Sequence, residues 1–270
     1  LFIQTSHDLT GISTIAIAEI AFLAALLFQF GLLLFKLNEE FEPSKPVYAI
    51  REWLGVAFIL LLQQSFVKIL GKIDTIMVGS ILGAREAGMY GAAVNTAQWV
   101  SVVLSIINIV AASSFAALYA KDNIEGLQKV VSAVALWIFW PSVAISLLLT
   151  VFSQPILGMF GSEFIAASWQ LKILVLGNLV STLCGSVGYL MVMTGHQNKS
   201  LPVFIYATIL NIVLNAIAIP LIGGVGAAIA TAFTKALWNI WLAFLVVKYV
   251  GVNPLVFRGL FQGGSSKSEI

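Results

Sequence analysis

The chain has 270 residues, of which 60% are hydrophobic and 10% charged, with a formal net charge of +2. Soluble domains carry about 25% charged residues and about 45–50% apolar ones. With a mean hydropathy of +1.00, this composition excludes a soluble enzyme, and so small a charge excludes a basic nucleic-acid-binding face. Cys184 is the only cysteine, so an intrachain disulfide and a cysteine metal centre are excluded as well.

Seven stretches reach the roughly 20 apolar residues that a bilayer-spanning helix needs. They run over 11–35, 54–80, 88–117, 130–152, 168–192, 200–221 and 225–248. They exceed the roughly 9–11 residues of a barrel strand and lack its alternation. The expectation is an all-α polytopic membrane protein.

Between the first two spans, residues 37–53 form a charged linker with Pro43 and Pro46, while 251–270 form a tail. One span precedes the linker and six follow it. With Leu1 in place of a methionine, this is the pattern of a chain cut inside a protein of two six-helix lobes. Residues 1–36 would then be the last helix of a first lobe and 54–250 the second lobe.

Lys36, Lys45, Arg51, Lys121, Lys129, Lys199, Lys248, Arg258 and Lys267 fall on one side of the membrane and Arg85 on the other. The bias of basic residues to cytoplasmic loops then predicts a cytoplasmic linker and C-terminus in a multi-pass cell-membrane protein.

Four lysines lie inside spans, where a charge costs about 2.5–3.5 kcal/mol at the bilayer centre and marks a functional position by default. Lys172 sits near a span end and reaches water by snorkelling. Lys72 is about 12 Å from the outer end, where snorkelling and a cavity role both remain open. Lys68 and Lys235 are each about 16–18 Å deep, near the midplane of a core about 30 Å thick. A cavity or a buried ion pair would accommodate them.

Gln64, Ser65, Lys68, Lys72, Thr75 and Gly79 share one helix face at three- and four-residue spacing. Asp74 falls about 160° from Lys72 on a regular helix, pointing it at a neighbouring helix unless Gly71 loosens the backbone. In the third span, Asn95, Gln98, Ser101, Ser105 and Asn108 share an arc of about 140°, either as interhelical hydrogen-bond partners or as a cavity wall. Asn211 and Asn215 pose the same choice. Glu19, an acid in the first span, is a possible proton carrier or a snorkelling group.

Farther along, Pro141 and Pro155 are positioned to kink or end the fourth span, and QPILGMFG at 154–161 reads as an irregular external connection. Gly223, Ala227 and Thr231 stack on one face, the small-residue spacing that lets helices approach closely. Phosphate loops, nucleophile elbows and paired histidine ligands are absent from the sequence; His7 and His196 fall on opposite sides of the membrane. The expectation is a non-enzyme with no cofactor, no metal site and no nucleic-acid partner.

KIDTIMVGSILGAREAGMYGAA at 72–93 resembles the opening of a lobe in the multidrug/oligosaccharidyl-lipid/polysaccharide exporter superfamily. YLMVMTGHQN at 189–198 and NIVLNAIAIPLIGGVGAAIAT at 211–231 resemble its polysaccharide-flippase branch. The likeness spans about 54–248, and Asp74 matches the family's aspartate by motif.

The resemblance implies the C-terminal half of a two-lobed transporter, which carries lipid-linked saccharide across the membrane by alternating access. Its partners would be membrane lipid, that substrate and an N-terminal lobe. Cavity cations in such proteins hold the carrier lipid's diphosphate, a role open here to Lys68, Lys72 and Lys235. Gln64, Asn95, Gln98 and Asn108 would meet sugars, and Asp74 or Glu19 would couple an ion.

Two other readings compete. A cation-coupled multidrug antiporter of the same superfamily would place acids rather than lysines in its cavity. A non-transporting membrane scaffold would lock the lysines in ion pairs.

Overall fold

The computed structural model of the chain describes residues 24, 25, 27–29, 31, 32 and 49–256. The chain divides into two compact units, Leu1–Arg51 and Glu52–Ile270. In the first, every described residue from 24 to 32 is helical; the rest of the expected first span, Glu19 and most of the linker lie outside the described residues.

From residue 49 onward the chain is a succession of helices: α1 (Ile50–Leu70), α2 (Ile73–Leu82), α3 (Ala84–Ala97), α4 (Trp99–Ala120), α5 (Ile124–Val151) and α6 (Ser153–Gly158). After a 3-10 turn at Ser162–Ala167 come α7 (Ser168–Leu183), α8 (Val187–Met193) and α9 (Gln197–Tyr249). No strand occurs among the described residues. Among the described residues, five helical stretches are long and apolar enough to cross a membrane, and the all-α polytopic expectation is borne out.

Helix α9, one of these five stretches, is long enough for two crossings. Its 53 residues would extend about 80 Å as a straight rod, far beyond a bilayer core of about 30 Å. Instead the chain reverses at Ile222 (φ −135°, ψ 20°) and Gly223 (φ 63°, ψ −147°). The positive φ at Gly223 is a conformation that costs other L-residues energy. The arms 197–221 and 224–249 then run antiparallel. Gly226 lies against the carbonyl of Ala218, Tyr206 stacks on Trp241 and His196 on Tyr249.

Several expected spans are interrupted. The second breaks at Gly71–Lys72 between α1 and α2, and its helix begins inside the expected linker, at Ile50. The third is jointed at Gln98, and the fifth breaks between Leu183 and Val187. The fourth continues through Pro141, while the connection at 154–161 contains the short helix α6 instead of being wholly irregular. The expected tail begins with packed residues, since Val252 and Val256 are buried.

The interior consists of two apolar clusters. One contains Val78, Tyr90, Val100, Leu149, Val175, Ile219 and Ala228; the other contains Ala111, Phe115, Val131, Cys184, Phe204 and Leu242. The long helices contribute to both and carry a polar residue between the two contributions. Asn108 separates Val100 from Ala111, Ser142 separates Val131 from Leu149, and Asn178 separates Val175 from Cys184. In α9, Asn211 separates Phe204 from Ile219, and Lys235 separates Ala228 from Leu242. A polar layer therefore crosses the middle of the lobe.

Candidate functional site

A cavity of about 550 Å³ opens at this polar layer. Its polar lining comes from Lys68, Asp74, Gln98, Ser101, Ser105, Asn178, Asn211, Thr231, Thr234 and Lys235, and its apolar lining includes Val67, Leu70, Ile106 and Trp238. These residues are drawn from α1, α2, α4, α7 and both arms of α9, together with the α3–α4 joint.

Local backbone breaks position them. At the α1–α2 junction, the amide of Lys72 donates to the carbonyl of Ile69 at 3.0 Å, a tightened three-residue bond, with Lys72 at φ −132°. Lys68, Gly71 and Asp74, on either side of the break, share one lining.

Asp74 is 1% exposed. Its Oδ1 accepts from the amide of Thr75 at 2.7 Å; its Oδ2 accepts from Tyr90 Oη at 2.9 Å and Thr231 Oγ1 at 3.0 Å. All these partners are donors, which suits the acceptor-only carboxylate group. They join α2, α3 and the second arm of α9 at one point.

Lys235 Nζ donates to Asn178 Oδ1, and Asn178 Nδ2 donates to the carbonyl of Ala97 at 2.6 Å. That carbonyl is available because of the α3–α4 joint: the amide of Ser101, which a continuous helix would aim at Ala97, donates to Gln98 at 2.8 Å. One turn away, Ser142 Oγ donates to the carbonyl of Val100 at 3.2 Å. The ammonium of Lys235 is thus supported by a neutral amide. The ion pairs among the described residues are Arg85–Glu163 and Lys129–Glu125, both exposed.

The sequence-derived candidates separate into two groups. Lys68, Lys235, Gln98 and Asp74 line the cavity. Gln64 and Lys72 are exposed and outside its lining, as is Asn95. Asn108 is buried outside it, with no hydrogen-bond partner for Oδ1. The polar face expected on one continuous helix at 64–79 is therefore replaced by the neighbouring stripe Val67, Lys68, Gly71 and Asp74. Lys172 sits over the Trp169 ring, its Nζ 4.9 Å from the centroid.

Asn178, Tyr90 and Thr231 did not stand out as site residues. A single asparagine in the middle of a mostly apolar span was the available signal for Asn178. Tyr90 lies within the quoted resemblance segment, and Thr231 carried only a packing signal.

The MatE family model matches residues 60–217, more than half of the chain. Over 185 residues the chain is 25% identical to the "Probable low-salt glycan biosynthesis flippase Agl15" of Haloferax volcanii, covering 67% of this chain and 38% of that relative. The chain thus spans well under half that relative's length. No solved structure matches. The family match includes α2 to α8 and the cavity residues from Lys68 to Asn211. The chain belongs to the MatE family, within the multidrug/oligosaccharidyl-lipid/polysaccharide exporter superfamily.

Proposed function

We propose that the unit from Glu52 onward is one lobe of a transporter for lipid-linked saccharide, working opposite a second lobe by alternating access. The observation that carries this reading is the joint presence of Lys68 and Lys235 in one polar cavity, with Lys235 held by an amide and not by an acid. Neither lysine is in an ion pair among the described residues, although Asp74 lies close enough to act on the Lys235 charge, and two such cations suit a diphosphate. Asp74, the acid in the same lining, has its oxygens occupied by Thr75, Tyr90 and Thr231. That arrangement favours an anionic substrate over the cationic drug of an antiporter.

In this reading the diphosphate lies between Lys68 and Lys235, and the first sugars meet Gln98, Ser101, Ser105 and Asn211. Asn178 orients the Lys235 ammonium. Asp74, tied to the arm that carries Lys235, is the place where a coupled ion would act on cavity shape. The glycan-flippase relative supports the substrate class, and the distribution of basic residues supports a cytoplasmic C-terminus.

The test is saccharide export by the transporter with both lobes present, after Lys68→Ala and Lys235→Ala together. Export should fall to background while membrane insertion is unchanged. Export at the parental rate in that double variant would refute the assignment.

A further inference from the structure

A second concavity, of about 420 Å³, lies between the two arms of α9. Tyr206, Ala207, Ile209, Leu210 and Val213 form one wall; Leu237, Trp238 and Trp241 form the other. Its size is within the roughly 300–1,000 Å³ of ligand pockets. The polar cavity and this apolar groove share one residue. Trp238 lines both, and it stands three positions beyond Lys235, on the same side of the helix. Phe204 packs on its ring with centroids 5.1 Å apart, and Tyr206 stacks on Trp241 at 6.1 Å. Trp238 is thus a wall common to a cavity that holds two lysines and an apolar groove.

We infer that the groove between the arms of α9 binds the first hydrocarbon segment of the lipid whose diphosphate occupies the cavity, with Trp238 beneath the junction of head and chain. The inference rests on the headgroup reading above. A molecule with an anionic head and a long chain matches both compartments across one shared wall; a free sugar phosphate would leave the groove unfilled. Within a bilayer the chain gains little from hydrophobicity alone, because lipid tails are equally apolar. The groove therefore fixes where the chain leaves the cavity, and the headgroup contact supplies the preference for that place.

The full chain would be reconstituted in phosphatidylcholine vesicles with a polyprenyl diphosphate bearing a diazirine on its second isoprenyl unit. Adducts should concentrate on Tyr206, Leu210, Leu237 and Trp241. Lys235→Ala should lower their yield about tenfold, the loss of a charge-assisted contact. Val213→Trp, a substitution at an exposed groove position, should lower them similarly while leaving Lys235-dependent binding of inorganic pyrophosphate intact.

Adducts spread equally over other exposed positions such as Trp137, Trp140 and Leu147 would overturn the groove assignment. Equal labelling by the uncharged polyprenol would do the same. In either case, pyrophosphate binding that still depends on Lys235 leaves the headgroup reading standing, and its loss of that dependence removes the headgroup reading instead.

Discussion

Thr231 Oγ1 donates to Asp74 Oδ2 at 3.0 Å, joining residues 157 positions apart and fastening the second arm of α9 to α2. Lys235 lies one turn farther along that arm and faces the same cavity. The contact therefore sets the register in which the ammonium is presented. Tyr90 Oη reaches the same carboxylate oxygen from α3 at 2.9 Å.

Removing one of these donors should loosen the junction without emptying the core. Thr231→Val keeps the shape and deletes the hydroxyl; Tyr90→Phe does the same from α3. Each should cost about 1–2 kcal/mol, because a donor to a carboxylate is lost while buried Asp74 keeps its other partners. Thermal unfolding in detergent measures the cost. Asp74→Leu should cost more than either, since it leaves both hydroxyls without their acceptor.

Helix α7 approaches the second arm of α9 at Gly177, where an added Cβ would fall 2.7 Å from the Cα of Ala232. The obstacle is backbone, so a side-chain rotation cannot relieve it. Gly177→Ala should therefore destabilise by about 1–3 kcal/mol, as overpacking of a tight contact does. One turn from the Asn178–Lys235 contact, it should also raise the reactivity of Lys235 towards an amine reagent. Unfolding and labelling measured on the same preparation check both effects.

The long apolar helices from Trp53 onward were legible because the bilayer demands about 20 apolar residues from each crossing, and composition reports that directly. Lys68 and Lys235 match in depth when residues are counted from the outer ends of their spans, and both line one cavity. Helix faces were less legible. Face assignments assumed 100° per residue across 64–79 and across 95–108, but the backbone is broken at Gly71–Lys72 and jointed at Gln98. The linings keep the regular helical spacing, with Val67, Gly71 and Asp74 at i, i+4 and i+7, so the face turned to the cavity is the neighbouring one: Asp74 enters the lining while Lys72 and Asn95 do not. Gly71 marked the first break. Nothing comparable marks Gln98, whose φ −63° and ψ −22° remain helical; the joint is expressed in hydrogen bonding, which no residue pattern encodes.

Asn178 joins the α3–α4 joint to the cavity, because it holds the Ala97 carbonyl with one end of its amide and Lys235 with the other. Asn178→Leu removes both contacts and leaves two buried groups without a partner. The cost should be about 2–6 kcal/mol, roughly 1–3 for each group. Asn178→Asp keeps an acceptor for Lys235 and loses the donor to Ala97, so its stability should lie between the parent and Asn178→Leu. Its carboxylate would also neutralise the ammonium, and pyrophosphate binding should weaken more than in Thr231→Val. Unfolding and pyrophosphate titration of the same variants separate packing from charge.

Beyond α9 the chain is held against α5 by a reciprocal pair. Gln128 Nε2 donates to the carbonyl of Asn253 at 3.0 Å, and the amide of Asn253 donates to Gln128 Oε1 at 2.7 Å. Val250, Val252 and Val256 are buried on either side of it. Gln128→Ala deletes both bonds and should speed hydrogen exchange at the Asn253 amide roughly 5–30-fold, equivalent to about 1–2 kcal/mol of local opening. Gln128→Glu retains the acceptor and loses the donor, so protection at Asn253 should be intermediate. Exchange at Leu127 and Val131 should stay close to the parent in both variants, because those amides belong to the α5 ladder. Equal acceleration along α5 would mean that the segment 250–256 stabilises the whole helix and is not a separately opening strap.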